Sequence, residues 1–124
     1  MPVIFGVALG GALGASARYV LDHLVEQRSY SIFPWATFTI NITGCLLIGV
    51  CEAALVDRHH VPAWIRVGII VGVLGGYTTF STFAQESLQL LDARDVGAGL
   101  LYTVGSVTVG VLAAYAGSLA GRQL

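Results

Sequence analysis

Four apolar runs, each at or beyond the length needed to cross hydrocarbon, decide most of what this chain is able to fold into. A bilayer core takes roughly 20 apolar residues per helix. The runs extend from about Val3 to Leu21, Trp35 to Leu55, Ala63 to Leu91 and Val96 to Ala120. Short polar stretches separate them: Asp22 to Pro34, Asp57 to Pro62 and Asp92 to Asp95. Charged residues are only 10% of the 124, where a soluble domain carries about 25%. So few charges leave a water-facing surface uncovered. The expected fold is an all-α integral membrane protein, a single four-helix transmembrane unit over residues 1–124.

The third run is too long for one straight crossing, and it contains GGYTTFSTF from Gly75 to Phe83. Each glycine in a helix interior costs about 1 kcal/mol relative to alanine. A helix broken near its middle, around Gly75 to Thr78, is expected. The first run is expected to be retained: Ala15-Ser16-Ala17 has the look of a leader cleavage site, but no basic residue precedes the apolar stretch. Cys45 and Cys51 share the second span and have neither disulfide nor metal spacing, so they are expected to be small packers.

The arginines give no orientation. With four spans, Arg58, Arg66 and Arg122 fall on one side, and Arg28, Arg94 and the nearby Arg18 on the other. The positive-inside rule reads an imbalance of such residues, and none is present. Either other factors orient the chain, or it inserts both ways up and pairs antiparallel. Gly6, Gly10 and Gly14 recur every four residues, as do Gly68, Gly72 and Gly76. Such stripes let helix backbones approach closely in lipid, within one subunit or between two.

Several polar groups within the spans need partners. Asn41 lies about seven residues into the second span, with Thr37 four positions earlier on the same face. An amide in hydrocarbon is costly unless paired; it serves a helix–helix hydrogen bond or a polar wall. Arg18 either snorkels to the interface or places a positive charge in a vestibule. Tyr102 and Ser106 share a face of the fourth span, and Gly110 continues that stripe with a gap. Glu52 and Glu86 lie near span ends, badly placed for a proton relay.

Unwinding around Gly75 would free backbone carbonyls, which are hard oxygen ligands suited to a small cation. After the break, Phe80 and Phe83 share one face, and Thr79, Thr82 and Glu86 a neighbouring one. Aromatic ring edges are electropositive, and hydroxyls donate hydrogen bonds. Together they suit a small, strongly hydrated anion that must bind and still leave. The same two phenylalanines also fit plain packing against lipid or core.

These residues resemble the signature of the Fluc (CrcB-type) fluoride channel family. The likeness spans the chain: Gly-Ala-Ser-Ala-Arg ending in Arg18, Pro-Trp-Ala-Thr leading to Asn41, GGYTTFSTF with Glu86, and Tyr102 with Ser106. The resemblance implies an antiparallel dual-topology homodimer with two fluoride pores. It implies a structural sodium ion at the dimer interface, held by the main-chain carbonyls of Gly75 and Thr78. Phe80 and Phe83 would be the pore phenylalanines; Asn41, Ser81, Thr82, Tyr102 and Ser106 would add polar pore contacts; Arg18 would sit near a vestibule. Ala84 and Gly110 stand where serine is frequent in the family, and Tyr77 where leucine is more usual. A β-branched residue at Gly75 is expected to crowd the unwound backbone.

The implied function is passive export of cytoplasmic fluoride across the cell (inner or plasma) membrane by a multi-pass protein. The implied partners are fluoride, lipid and a second copy of the chain, with no nucleic acid and no enzymatic activity. The rival from another class is a small dual-topology proton-coupled multidrug exporter, which wants a glutamate in its first span; this span has Arg18 and no acid. A non-transporting assembly subunit is the third possibility, and it has no use for a phenylalanine face beside a helix break.

Overall fold

Each of the three prolines stands at the threshold of a helix. Pro2, Pro34 and Pro62 immediately precede the first helical residues Val3, Trp35 and Ala63. A fixed φ and a missing N–H do no harm there. Their carbonyls accept the first helical bonds, as in Phe38 N–H to the Pro34 oxygen at 3.0 Å.

The computed structural model describes residues 2–56 and 61–124. Along them run α1 (Val3–Glu26), α2 (Trp35–Leu55), α3 (Ala63–Val67), a π-helical segment (Gly68–Leu74), α4 (Gly75–Tyr77), α5 (Phe80–Asp92) and α6 (Val96–Gly121). The third span, Ala63–Asp92, comprises α3 to α5; it and α1, α2 and α6 are each long and apolar enough to cross a membrane. No strand occurs among the described residues. The protein is a multi-pass membrane protein. Helix α1 continues beyond Leu21 to Glu26, carrying Asp22 and His23 on helical backbone. Arg58, one of the arginines weighed for orientation, lies outside the described residues.

The two glycine stripes meet each other. A Cβ added at Gly6, Gly10 or Gly14 would collide with the backbone carbonyl of Trp64, Gly68 or Val73 respectively. From the other side, a Cβ at Gly68, Gly72 or Gly76 would come within 2.9, 2.9 and 2.8 Å of the carbonyl oxygens of Gly6, Val7 and Gly11. Both stripes are thus consumed by one contact inside the subunit. The π winding, absent from the sequence expectation, helps: its turn is wider than the 3.6 residues of an α-helix, so positions four apart drift less around the axis. Helices α2 and α6 pack equally closely, with Gly49 against the Ala114 carbonyl and Gly117 against that of Leu46.

Helix α5 ends in a turn that reverses the chain. Arg94 adopts φ 58°, the one positive φ outside glycine among the described residues. Its amide bonds the Leu91 oxygen at 3.0 Å, and the Asp95 amide reaches Leu90 at 3.2 Å, the paired closure of a Schellman motif. Asp95 then caps α6, accepting from the Ala98 amide at 3.0 Å. The buried interior is small and partly polar: Ile40, Leu74, Leu90 and Tyr102 share it with Thr37, Thr79 and Ser87. Long apolar side chains such as Leu9, Leu13, Leu101 and Val111 face outward, as expected where lipid is as apolar as leucine.

Candidate ion pathway at the helix break

The third span breaks at two threonines. Gly75, where the sequence placed the start of the unwinding, keeps helical angles of φ −65° and ψ −37°. Extended backbone is confined to Thr78 (φ −80°, ψ 159°) and Thr79 (φ −148°, ψ 116°). Glycine permits a break without enforcing one. The β-branched threonines favour extended backbone, and a side chain from α2 supplies partners that the helix would otherwise provide.

That side chain is Asn41. Its Nδ2 donates to the Thr79 carbonyl at 3.0 Å, and its Oδ1 accepts from the Thr79 amide at 2.9 Å. One amide thus satisfies both backbone groups of one residue. Thr79 in turn caps α5: its Oγ1 accepts from the Thr82 amide at 3.3 Å and donates to Thr82 Oγ1 at 2.9 Å. These substitutions have a consequence for the carbonyls. In a continuous helix the Thr79 amide would serve the Gly75 oxygen and the Thr82 amide the Thr78 oxygen. Both amides are engaged elsewhere. The carbonyls of Gly75 and Thr78 therefore lose their helical donors. Such oxygens are the hard donor set a small cation takes, so the residues present fit a sodium ion. Gly75 is exposed on the single chain, and a Cβ added there would meet nothing within 4 Å. The expected crowding at Gly75 therefore does not arise within one subunit.

Beside the break lies a groove of about 310 Å³, lined among others by Asn41, Gly75, Thr78, Phe80, Phe83 and Ser106. Phe80 is 80% exposed. Its ring centroid lies 5.8 Å from that of Phe83, which lies 5.2 Å from Tyr102. Ser106 lines this groove, and its hydroxyl is buried with no hydrogen-bond partner among the described residues.

The remaining expected site residues divide. Arg18 and Thr82 line a separate hollow of about 190 Å³, together with Asp22, Thr37 and Thr79. Ser81 is exposed on α5 and lines neither of these two spaces. Tyr102 is fully buried, and its hydroxyl donates to Glu86 Oε2 at 2.6 Å. Thr37 donates to Glu86 Oε1 at 2.8 Å.

The family profile described as "CrcB-like protein, Camphor Resistance (CrcB)" matches residues 5–118. The chain belongs to the CrcB family. A relative from Flavobacterium psychrophilum is 39% identical over 124 residues, covering all of both chains. One from Acidobacterium capsulatum is 44% identical over 120 residues, 95% of this chain and 94% of its own. A third, from Aquifex aeolicus, is 39% identical over the full length of both. Each of these relatives is named a fluoride-specific ion channel FluC.

In this CrcB chain the structure joins residues that sequence spacing kept apart. Thr37, Glu86 and Tyr102 form one hydrogen-bonded cluster across α2, α5 and α6. Sequence spacing sets Glu86 near a span end, badly placed for a proton relay, and assigns it no pore role. The available signal was three separate facts: Thr37 on the Asn41 face, Glu86 on the Thr79–Thr82 face, and a tyrosine on the fourth span. Only tertiary packing brings them together.

Proposed function

We propose that this chain forms a fluoride-selective channel through which cytoplasmic fluoride leaves the cell passively, lowering its toxicity. The observation that carries the reading is the groove beside the break. Phe80 and Phe83 line it together with Asn41, Gly75, Thr78 and Ser106, whose hydroxyl is unpartnered among the described residues. Electropositive ring edges and O–H donors bind a small anion without a full positive charge that would hold it. Hydrofluoric acid enters a cell as the neutral acid and dissociates inside. A negative membrane potential then drives the anion out, at about 2.3 kcal/mol per charge per 100 mV. No covalent step and no energy source beyond that gradient is needed.

The working unit in this reading is an antiparallel homodimer. Two facts support it. The arginines are balanced. The groove residues Gly75 and Phe80 lie open on the single chain. A sodium ion on the Gly75 and Thr78 carbonyls would hold the centre together by supplying charge to oxygens that lack donors. Phe80, Phe83, Asn41 and Ser106 are the residues on the pathway groove; in the separate hollow, which shares Thr79 with the groove, Arg18 would supply positive charge for an approaching anion and Thr82 a hydroxyl. Ser81 would reach the ion only through the partner copy. The proton-coupled exporter is not favoured: the relatives are named channels, and no acidic residue precedes Asp22 on α1.

The test is anion efflux from liposomes that contain only this protein. Vesicles loaded with potassium fluoride should release fluoride once potassium is free to leave, and chloride should barely move. Comparable chloride efflux would remove the fluoride assignment. One-sided labelling of a tag after Leu124 should find both orientations in one membrane; a single orientation would remove the antiparallel pairing.

A further inference from the structure

Two side-chain ties from α2 bracket the break. Asn41 holds Thr79, on the far side of Thr78. The second tie lies two residues further along α2 and two residues back along the third span: Thr43 Oγ1 and the Tyr77 hydroxyl are 2.9 Å apart. The direction of this bond follows from the hydrogens available. Thr43 has one hydroxyl hydrogen, and its Oγ1 also lies 2.7 Å from the Thr39 carbonyl and 3.1 Å from that of Ile40. Carbonyl oxygens only accept. The threonine hydrogen therefore goes to a backbone carbonyl, and Tyr77 donates to Thr43. The result is a relay from Tyr77 through Thr43 to the α2 backbone, in which each bond polarises the next.

Between the two ties, α2 presents Gly44. A Cβ there would collide with the Thr78 methyl group and come within 3.5 Å of the Tyr77 ring. Thr78 itself is held from behind, since both its amide (3.0 Å) and its Oγ1 (2.9 Å) bond the Leu74 oxygen. The direction of the Thr78 carbonyl is thus fixed by Tyr77 on one side and Thr79 on the other, each tied to α2.

We infer that Tyr77 is a positioning residue for the cation-binding carbonyls, its hydroxyl bond to Thr43 aiming the oxygens of Gly75 and Thr78. Tyr77 acts by holding the last helical turn before the break at a fixed distance from α2, so that the carbonyls freed at Gly75 and Thr78 point together. The inference rests on the sodium reading given above, and its test separates the two.

The experiment is a sodium titration of the purified protein, with ionic strength held constant by a large organic cation. Two quantities are read at each concentration: thermal stability of the dimer on a sizing column, and fluoride efflux. The variants are Tyr77→Phe, Thr43→Val, their combination, and Thr43→Ser. A single neutral hydrogen bond corresponds to a shift of about 2- to 12-fold in a coupled equilibrium. Tyr77→Phe should raise the sodium midpoint for dimer stability by that factor, and excess sodium should restore both stability and efflux. Thr43→Val also removes the inter-helix bond, together with the threonine's own bond to the α2 backbone; it should raise the midpoint at least as far, and adding Tyr77→Phe to it should raise the midpoint no further. Thr43→Ser keeps the hydroxyl and should retain the midpoint. An unmoved midpoint in Tyr77→Phe, with the unmutated chain still sodium-dependent, overturns the role of Tyr77 alone. A loss of stability equal at every sodium concentration also overturns it, since that is the mark of packing only. No sodium response in the unmutated chain overturns the cation site and this inference with it.

Discussion

Replacing Asn41 with leucine deletes one side chain and orphans two backbone groups. The amide and carbonyl of Thr79 both rely on Asn41, at 2.9 and 3.0 Å. An unpaired buried group costs about 1–3 kcal/mol, so the extended break loses about 2–6 kcal/mol if it keeps its shape. Interhelical side-chain bonds in membranes average only about 0.6 kcal/mol, because the chain usually finds substitutes. Here one substitute exists: the helix can rewind through Thr78 and Thr79. That would satisfy Thr79 but return donors to the carbonyls of Gly75 and Thr78, removing the oxygens proposed to hold the cation. Either way transport fails, by instability or by rewinding. The assay is paired: unfolding stability in detergent, and fluoride efflux from liposomes. Stability within about 0.5 kcal/mol together with efflux within about twofold of the unmutated protein would refute the argument, since neither cost would then exist.

Other expectations follow from the same geometry. Phe80→Ile or Phe83→Ile keeps apolar bulk but removes the electropositive ring edge; fluoride efflux should fall while the protein elutes from a sizing column as the unmutated chain does, and normal efflux in both would mean the rings only pack. Gly14→Val drives a side chain into the Val73 carbonyl and should destabilise by at least about 3 kcal/mol, the upper end of the overpacking range, measured as loss of the folded peak. Gly105, where an added Cβ meets nothing within 4 Å, is the control, and alanine there should be neutral or stabilising by up to about 1 kcal/mol. Arg94→Gly should raise thermal stability by about 0.5–1 kcal/mol, because φ 58° strains any residue with a Cβ.

The four spans were legible because apolar runs report them: bilayer thickness turns such a run between polar stretches into a helix. The exact site of the break was not. The sequence points to a stretch around Gly75 to Thr78, and the residues that leave the helix, Thr78 and Thr79, lie at and just past its far end. The cause is Asn41, 38 positions away in sequence, and no local propensity carries that information. Asn41 was legible as a group needing a partner; the partner's identity was not. The glycine stripes announced a close contact without saying which surfaces met. The same gap separates Thr37, Glu86 and Tyr102, each visible singly and joined only by packing. The π winding of Gly68–Leu74 had no sequence signal, since its residues suit an α-helix equally well.

The mutual burial of the two glycine stripes makes α1 and the first half of the third span a single unit of exchange. Each glycine on one helix is fitted to a carbonyl on the other, so neither surface is free to drift alone. In a chimera between this chain and a relative, α1 transplanted alone would carry the wrong relief to its neighbour. Moved together with residues 63–77, it should seat as before. The boundary between swappable parts therefore runs through the middle of the third span, at the threonines, rather than through the loops between spans.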